Sequence, residues 1–189
     1  MDDSSRTRVG ALRVDRRRFL RLGVLGGAAS LLAQPAGTSW AANHNRAEAL
    51  VLSCMDYRLT GFTTTYMAGR KLAKKYYQVM LAGASLAANA PPAPEPWKDT
   101  FWEHLKIAIS LTTPPRNPRG PLNKVFVIDH LECGAYDLLL PGCCADPAKE
   151  KAAHAEQLKK LRTEINRRYD KMQVELLLMD LKGKVEPIA

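Results

Sequence analysis

The chain has 189 residues, 46% of them hydrophobic and 25% charged, with a formal net charge of +9. This is one domain's worth of ordinary globular protein, which excludes a low-complexity disordered chain and a fibrous repeat. The charge does not point to nucleic acid: residues 1–42 carry seven Arg and three Asp, so +4 of the +9 lies in this leading segment and the remaining +5 needs no polyanionic partner.

The leading segment has its own organisation. Asp15-Arg16-Arg17-Arg18-Phe19-Leu20-Arg21 precedes an apolar, Gly/Ala/Leu-rich run from Leu22 to Ala33, and small residues close it at Ser39-Trp40-Ala41-Ala42. A basic region, a short apolar region and a small-residue cleavage site make up an export signal, and the paired arginines before Phe-Leu resemble a twin-arginine signal. The run falls short of the ~20 apolar residues of a spanning helix. We therefore expect an export signal over 1–42, a single domain over 43–189 with no permanent membrane span, and a periplasmic or otherwise exported location. A basic amphipathic helix that stays attached is the alternative.

From Arg46 onward, short apolar runs alternate with helical patterns. Ala49–Ser53 reads as a strand buried on both faces. Residues 63–75 have helical spacing and end in Lys74-Lys75, which suits a helix carboxyl end. Tyr76–Ala82 reads as a second strand leading into the small-residue turn Gly83-Ala84-Ser85, and the four prolines of 90–96 mark a loop. A helix is expected over 97–113, with Phe101, Leu105, Ala108, Ile109 and Leu111 on or near one face, followed by a loop over 114–121. Lys124–Asp129 is a third strand, and a short helix begins at Gly134-Ala135-Tyr136. After an interruption over 141–147, a long charged helix over 148–168 buries Ala152, Ala155, Leu158, Leu161 and Ile165. Val174–Met179 and Lys184–Ile188, joined by a tight turn at Gly183, form an edge hairpin. The expected fold is α/β: a mostly parallel central sheet of about four strands with an antiparallel edge hairpin and helices on both faces.

Two motifs follow directly on buried strands: Cys54-Met55-Asp56-Tyr57-Arg58 and His130-Leu131-Glu132-Cys133-Gly134. Ligand sites of open α/β sheets lie at the carboxyl ends of such strands. Cys54, His130 and Cys133 form a donor set that suits zinc, with three protein ligands and a fourth position left open. Asp56 and Arg58 can pair, which keeps the carboxylate ionised and off the metal. The alternatives are a plain salt bridge for Asp56–Arg58, and buried thiols or a disulfide for Cys54 and Cys133. His44, His104 and His154 default to surface positions. Tyr57, Tyr66 and Tyr136 either line a pocket or pack, and Glu132 is either a support to the ligands or simply exposed. Four cysteines in an exported chain would ordinarily suggest disulfides. A disulfide between the neighbours Cys143 and Cys144 is geometrically strained, so that pair stays unassigned, with free thiols in a loop as one reading.

On Cys54, Asp56, Arg58, His130, Cys133 and Gly134, and more loosely on the closing stretch 178–185, the chain resembles the β-class carbonic anhydrases. The resemblance implies one Zn2+ per chain on Cys54, His130 and Cys133, with Asp56 a possible fourth ligand in a closed state. It implies reversible hydration of carbon dioxide to bicarbonate, with Asp56 and Arg58 as the catalytic dyad, and a homodimer or higher homo-oligomer. The chain departs from that family at Tyr57, where a small serine is usual, and at 81–85, which lacks the family's Arg-Asn pair. Two other readings keep the metal site: hydrolysis of a related small molecule such as carbonyl sulfide or carbon disulfide, and a non-catalytic zinc-binding envelope protein.

Overall fold

A computed structural model describes residues 47–117 and 120–189; the expected export signal at 1–42 lies outside the described residues. In chain order the elements are β1 (Ala49–Cys54), α1 (Thr60–Gly69), β2 (Tyr76–Leu81), α2 (Ser85–Asn89), α3 (Glu95–Thr112), β3 (Lys124–His130) and α4 (Gly134–Leu139). A 3-10 turn (Cys143–Ala145), α5 (Pro147–Arg168), β4 (Gln173–Met179) and β5 (Val185–Pro187) complete them.

The strands form one sheet in the order β2-β1-β3-β4-β5. β1 pairs in parallel with β2 and β3, β3 in parallel with β4, and only the β4–β5 pair is antiparallel. The expected α/β architecture is therefore the observed one. Alternation of side chains across the pleat sorts the apolar residues into two cores. Leu50, Leu52, Val125, Val127 and Leu176 face α3 and α5, where Phe101, Leu105, Leu158, Leu161 and Ile165 meet them. Ala49, Val51, Phe126, Ile128 and Leu177 face the other way, toward Met67 of α1. The central strand β1 is buried along its whole length because both its faces are covered. Leu158 is wholly buried, so Leu158→Ala should cost about 2–5 kcal/mol; an unchanged urea midpoint would remove it from the core.

Several element boundaries differ from expectation, each for a local reason. α1 ends at Gly69, well before the lysines, because Lys71 and Lys74 adopt left-handed backbone (φ 62° and 59°) in the turn to β2. α3 starts at Glu95 with Pro96 in its first turn, where a proline sacrifices no helical hydrogen bond. In α3 the buried stripe is Phe101, Trp102, Leu105, Ala108 and Thr112, and in α5 Glu150, His154 and Gln157 precede Leu158, Leu161 and Ile165. Ala152 is exposed. His154, expected at the surface, is fully buried, because this polar stripe of α5 lies over a buried carboxylate described below.

The sheet's direction of winding changes between β1 and β3. With a 2-1-3-4 order the crossovers leave these neighbours toward opposite faces, which opens a crevice beyond their carboxyl ends. Cys54 is the last residue of β1 and His130 the last of β3.

Candidate metal centre

The two motifs come together in that crevice. The donor atoms of Cys54, His130 and Cys133 all lie within 4.8 Å of one another, and all three residues are buried. The two sulfurs stand 3.9 Å apart; two thiolates ~2.3 Å from one tetrahedral zinc would stand ~3.8 Å apart. The Nδ1–H of His130 donates to the Leu131 carbonyl at 2.8 Å. That bond leaves the Nε2 lone pair free, and Nε2 is buried with no hydrogen-bond partner. An orphaned imidazole nitrogen beside two thiols is what a soft divalent ion would satisfy, so the donor set fits zinc.

The electrostatics of the three residues are linked. The Cys54 thiol is pulled down to about 4, first by its hydrogen bond with the Cys133 thiol and then by His130 and the Gly83 N–H, against the opposing effect of burial. Cys133 is pushed up by the same hydrogen bond and by burial. Burial works against a charged His130, yet the neighbouring Cys54 sulfur and its charge hold it above its ordinary value. The centre therefore already carries thiolate character, the form that ligates metals.

Asp56 and Arg58 stand at the rim. Nη2 of Arg58 donates to Oδ2 of Asp56 at 2.7 Å, while Nε and the Arg58 backbone N–H each donate to Oδ1 at 3.0 Å. This fork lowers the Asp56 carboxyl to about 2. The same Nη2 donates to the Glu132 carbonyl at 3.0 Å, so one guanidinium ties the first motif to the second. Oδ2 of Asp56 lies 3.8 Å from Nε2 of His130, beyond hydrogen-bonding distance. Asp56 thus faces the metal-binding atoms while being held back by Arg58.

Two backbone features complete the frame. Glu132, between the two ligands of the second motif, adopts a left-handed φ of 56°, and its N–H donates to Oε1 of Glu150 at 2.6 Å. Its side chain is exposed, and its hydrogen bonds to the site run through its backbone. After β2, Gly83 at φ 76° aims its N–H at the Cys54 sulfur (3.3 Å), followed by Ala84 at φ 41°. A non-glycine residue at that φ is strained and persists only where neighbours enforce it.

The enforcing contact is Asp129, a buried carboxylate one residue before His130. It accepts bonds from the Ser85 N–H (3.0 Å), the Ser85 hydroxyl (2.6 Å), the Tyr136 hydroxyl (2.6 Å) and Nδ1 of His154 (3.1 Å). Four donors from three elements pin the Ala84 turn, α4 and α5 to the end of β3. Ser85→Ala removes one of them from a buried carboxylate and should cost about 1–3 kcal/mol, read as a lowered denaturation midpoint; no change would show that Ser85 holds nothing in place. Tyr136 therefore packs in the interior, Tyr66 sits against the α1-side core, and Tyr57 lines the crevice. His104 is exposed as expected, and His44 lies outside the described residues. No local sequence pattern marks Ser85, Asp129, Glu150 or His154.

The crevice is a cavity of about 480 Å³ that opens on Cys54, Cys133 and Asp56, with Met55, Tyr57, Trp97 and Leu138 among its walls. The walls are mostly apolar, with Cys54, Cys133 and Asp56 among the few polar groups, an arrangement that suits a small, weakly polar ligand.

Fold and donor set together define a mostly parallel α/β protein with a buried Cys-His-Cys group, able to hold a metal, at the sheet's switch point. The chain belongs to the family of the Uncharacterized protein RC0076 of Rickettsia conorii, with 34% identity over 146 residues covering 76% of this chain and 73% of that one. An uncharacterized protein of Rickettsia bellii is 32% identical over 145 residues, covering 76% and 83%. No protein-family model matches the chain. Similar solved structures include a carbonic anhydrase from Streptococcus mutans (14% identity, TM-score 0.48, 92% of this chain and 96% of that one) and a tetrameric β-carbonic anhydrase from Sordaria macrospora (14%, 0.49, 93% and 98%). A carbon disulfide hydrolase is also similar (12%, 0.40, 91% and 91%). Among the described residues, no helix is long and apolar enough to cross a membrane.

Proposed function

We propose that this protein is a zinc-dependent lyase of the β-carbonic anhydrase type, catalysing reversible hydration of carbon dioxide to bicarbonate. The observation that carries the reading is the convergence of Cys54, His130 and Cys133 beside an Asp56 held by Arg58. Cys54, His130 and Cys133 would hold the ion; when bound, zinc supplies the Lewis acidity that makes water a nucleophile near neutral pH.

The chain's own residues do the rest. Asp56, with its carboxyl lowered to about 2, stays ionised throughout the neutral range. It is too weak a base to keep a proton there, so its role is to accept a hydrogen bond from the attacking water and aim that water's lone pair at carbon. Arg58 fixes the carboxylate for that task, because the paired bonds leave it one orientation. The apolar walls admit an uncharged linear substrate and exclude bulk water, and the charged product is driven out of the same surroundings. The Asp56–Arg58 fork also favours an open, catalytic site over a non-catalytic zinc protein closed by Asp56.

The decisive experiment is stopped-flow carbon dioxide hydration by the purified, zinc-loaded mature domain, with metal analysis of the same sample. A rate well above background, lost on removing zinc and restored on adding it, is expected; background rates at full zinc occupancy would overturn the reading. The proposal includes export by the twin-arginine route, supported by Arg16-Arg17-Arg18-Phe19-Leu20 before the apolar run, and a homodimer or larger homo-oligomer, supported by the family resemblance of the motifs. Replacing Arg16 and Arg17 together with Lys should stop export of the folded protein; export at wild-type level would exclude that route.

A further inference from the structure

Cys143 and Cys144 take no part in the metal centre, yet they are placed in a particular way. They open the 3-10 turn that joins α4 to α5, between Gly142 at φ 83° and Asp146, whose side chain caps α5. Their sulfurs lie 3.0 Å apart, closer than two sulfurs in simple van der Waals contact. Both are half-buried, and Cys143 also reaches the Tyr136 carbonyl at 3.4 Å. Cys143 lines a second cavity, of about 460 Å³, whose walls include Leu140, Gly142, Ala153 and Gln157. The two half-buried thiols thus lie side by side, with Cys143 on the wall of a cavity.

We propose that Cys143 and Cys144 form a reversible dithiol–disulfide site that is oxidised by small-molecule disulfides through thiol–disulfide exchange. The Cys143 thiolate, having given up its proton, attacks one sulfur of the oxidant and expels the first thiol, forming a mixed disulfide on Cys143. The Cys144 thiol loses its proton and attacks Cys143, closing the Cys143–Cys144 bond and expelling the second thiol. The two cysteines lose two electrons and two protons in all, and the oxidant becomes two thiols. Burial, and next the neighbouring Cys143 sulfur, push the Cys144 thiol up to about 12, which makes it a slow nucleophile on its own. The short approach compensates, because an intramolecular partner in position acts as if at very high concentration. Strain in a bond between chain neighbours makes the closed pair readily reduced, which keeps the site reversible. Closure removes the Cys143 S–H that meets the Tyr136 carbonyl, so the pair's redox state is felt at α4, which follows directly on Cys133.

The test uses the zinc-loaded protein incubated with oxidised glutathione, then alkylated, digested and mapped by mass spectrometry. The expected product is a peptide in which Cys143 and Cys144 are joined, two hydrogen masses lighter and unalkylated, and restored by a dithiol reductant. Cys144→Ala should instead trap a stable glutathione adduct on Cys143. Complete alkylation of both cysteines in the treated wild type, or no adduct in the variant, would overturn the proposal. A bond joining Cys54 to Cys133 in the same map would count against the metal centre alone, since it is a different linkage.

Discussion

Cys54→Ser should strip the protein of its metal and with it all carbon dioxide hydration. A serine hydroxyl is not ionised at neutral pH and is a poor zinc ligand, so only His130 and Cys133 would remain of a three-residue donor set. Loss of a mere supporting contact typically costs 10–100-fold in metal affinity; loss of a ligand should cost more than about 100-fold. Competition against a chelating dye measures the affinity, and metal analysis measures the occupancy. Cys54 closes a buried central strand, so a thermal melt should accompany both: metal lost with the apo melting point unchanged assigns the effect to ligation. A serine variant that keeps stoichiometric zinc would sink the assignment of Cys54.

Asp56→Asn should behave in the opposite way, keeping the metal while losing the rate. Asp56 touches no donor atom within hydrogen-bonding distance, so zinc occupancy should stay at wild-type level. The amide removes the charge that engages the Arg58 fork and presents a donor where the mechanism needs an acceptor. Positioned proton acceptors of this kind contribute about 10²- to 10⁴-fold, and the fall should appear in kcat/KM measured by stopped flow. Wild-type turnover in this variant would remove Asp56 from the mechanism. Arg58→Ala offers a companion measurement: with the fork gone, Asp56 can swing toward the metal, so zinc should be retained while inhibition deepens.

The two variants separate holding the ion from using it, and the structure shows why these can be separated. Cys54 and His130 end two strands and Cys133 directly precedes α4, whereas Asp56 and Arg58 occupy the turn that leaves β1, with Arg58 reaching across to the Glu132 carbonyl. Arg58 thereby couples the rim to the second motif. Tyr57, between the two members of the dyad, points into solvent at 87% exposure. Its bulk therefore does not crowd the donor atoms.

Much of this could be read from the sequence, because it depends on neighbours in the chain. Four-residue apolar runs that stop two residues before Cys54 and two before His130 define strands that deliver these residues to the sheet's carboxyl edge. A three-residue spacing lets the turn after β3 present His130 and Cys133 together. The Gly183 turn between two short β-type runs determines the edge hairpin. What lies across the fold was invisible. In the first turns of α5, Glu150, His154 and Gln157 look like a solvated face until the partners that satisfy them are known. Those partners are the Glu132 N–H, the Asp129 carboxylate and Asn89, each supplied by a distant part of the chain. A buried polar group is tolerated only when hydrogen-bonded, and that pairing is a property of the packed structure. The sequence by itself determined the sheet and the three residues that could hold a metal; the tertiary structure alone decided the Asp129 network, the reach of Arg58 to Glu132 and the closeness of Cys143 to Cys144, because each depends on groups whose meeting no local period encodes.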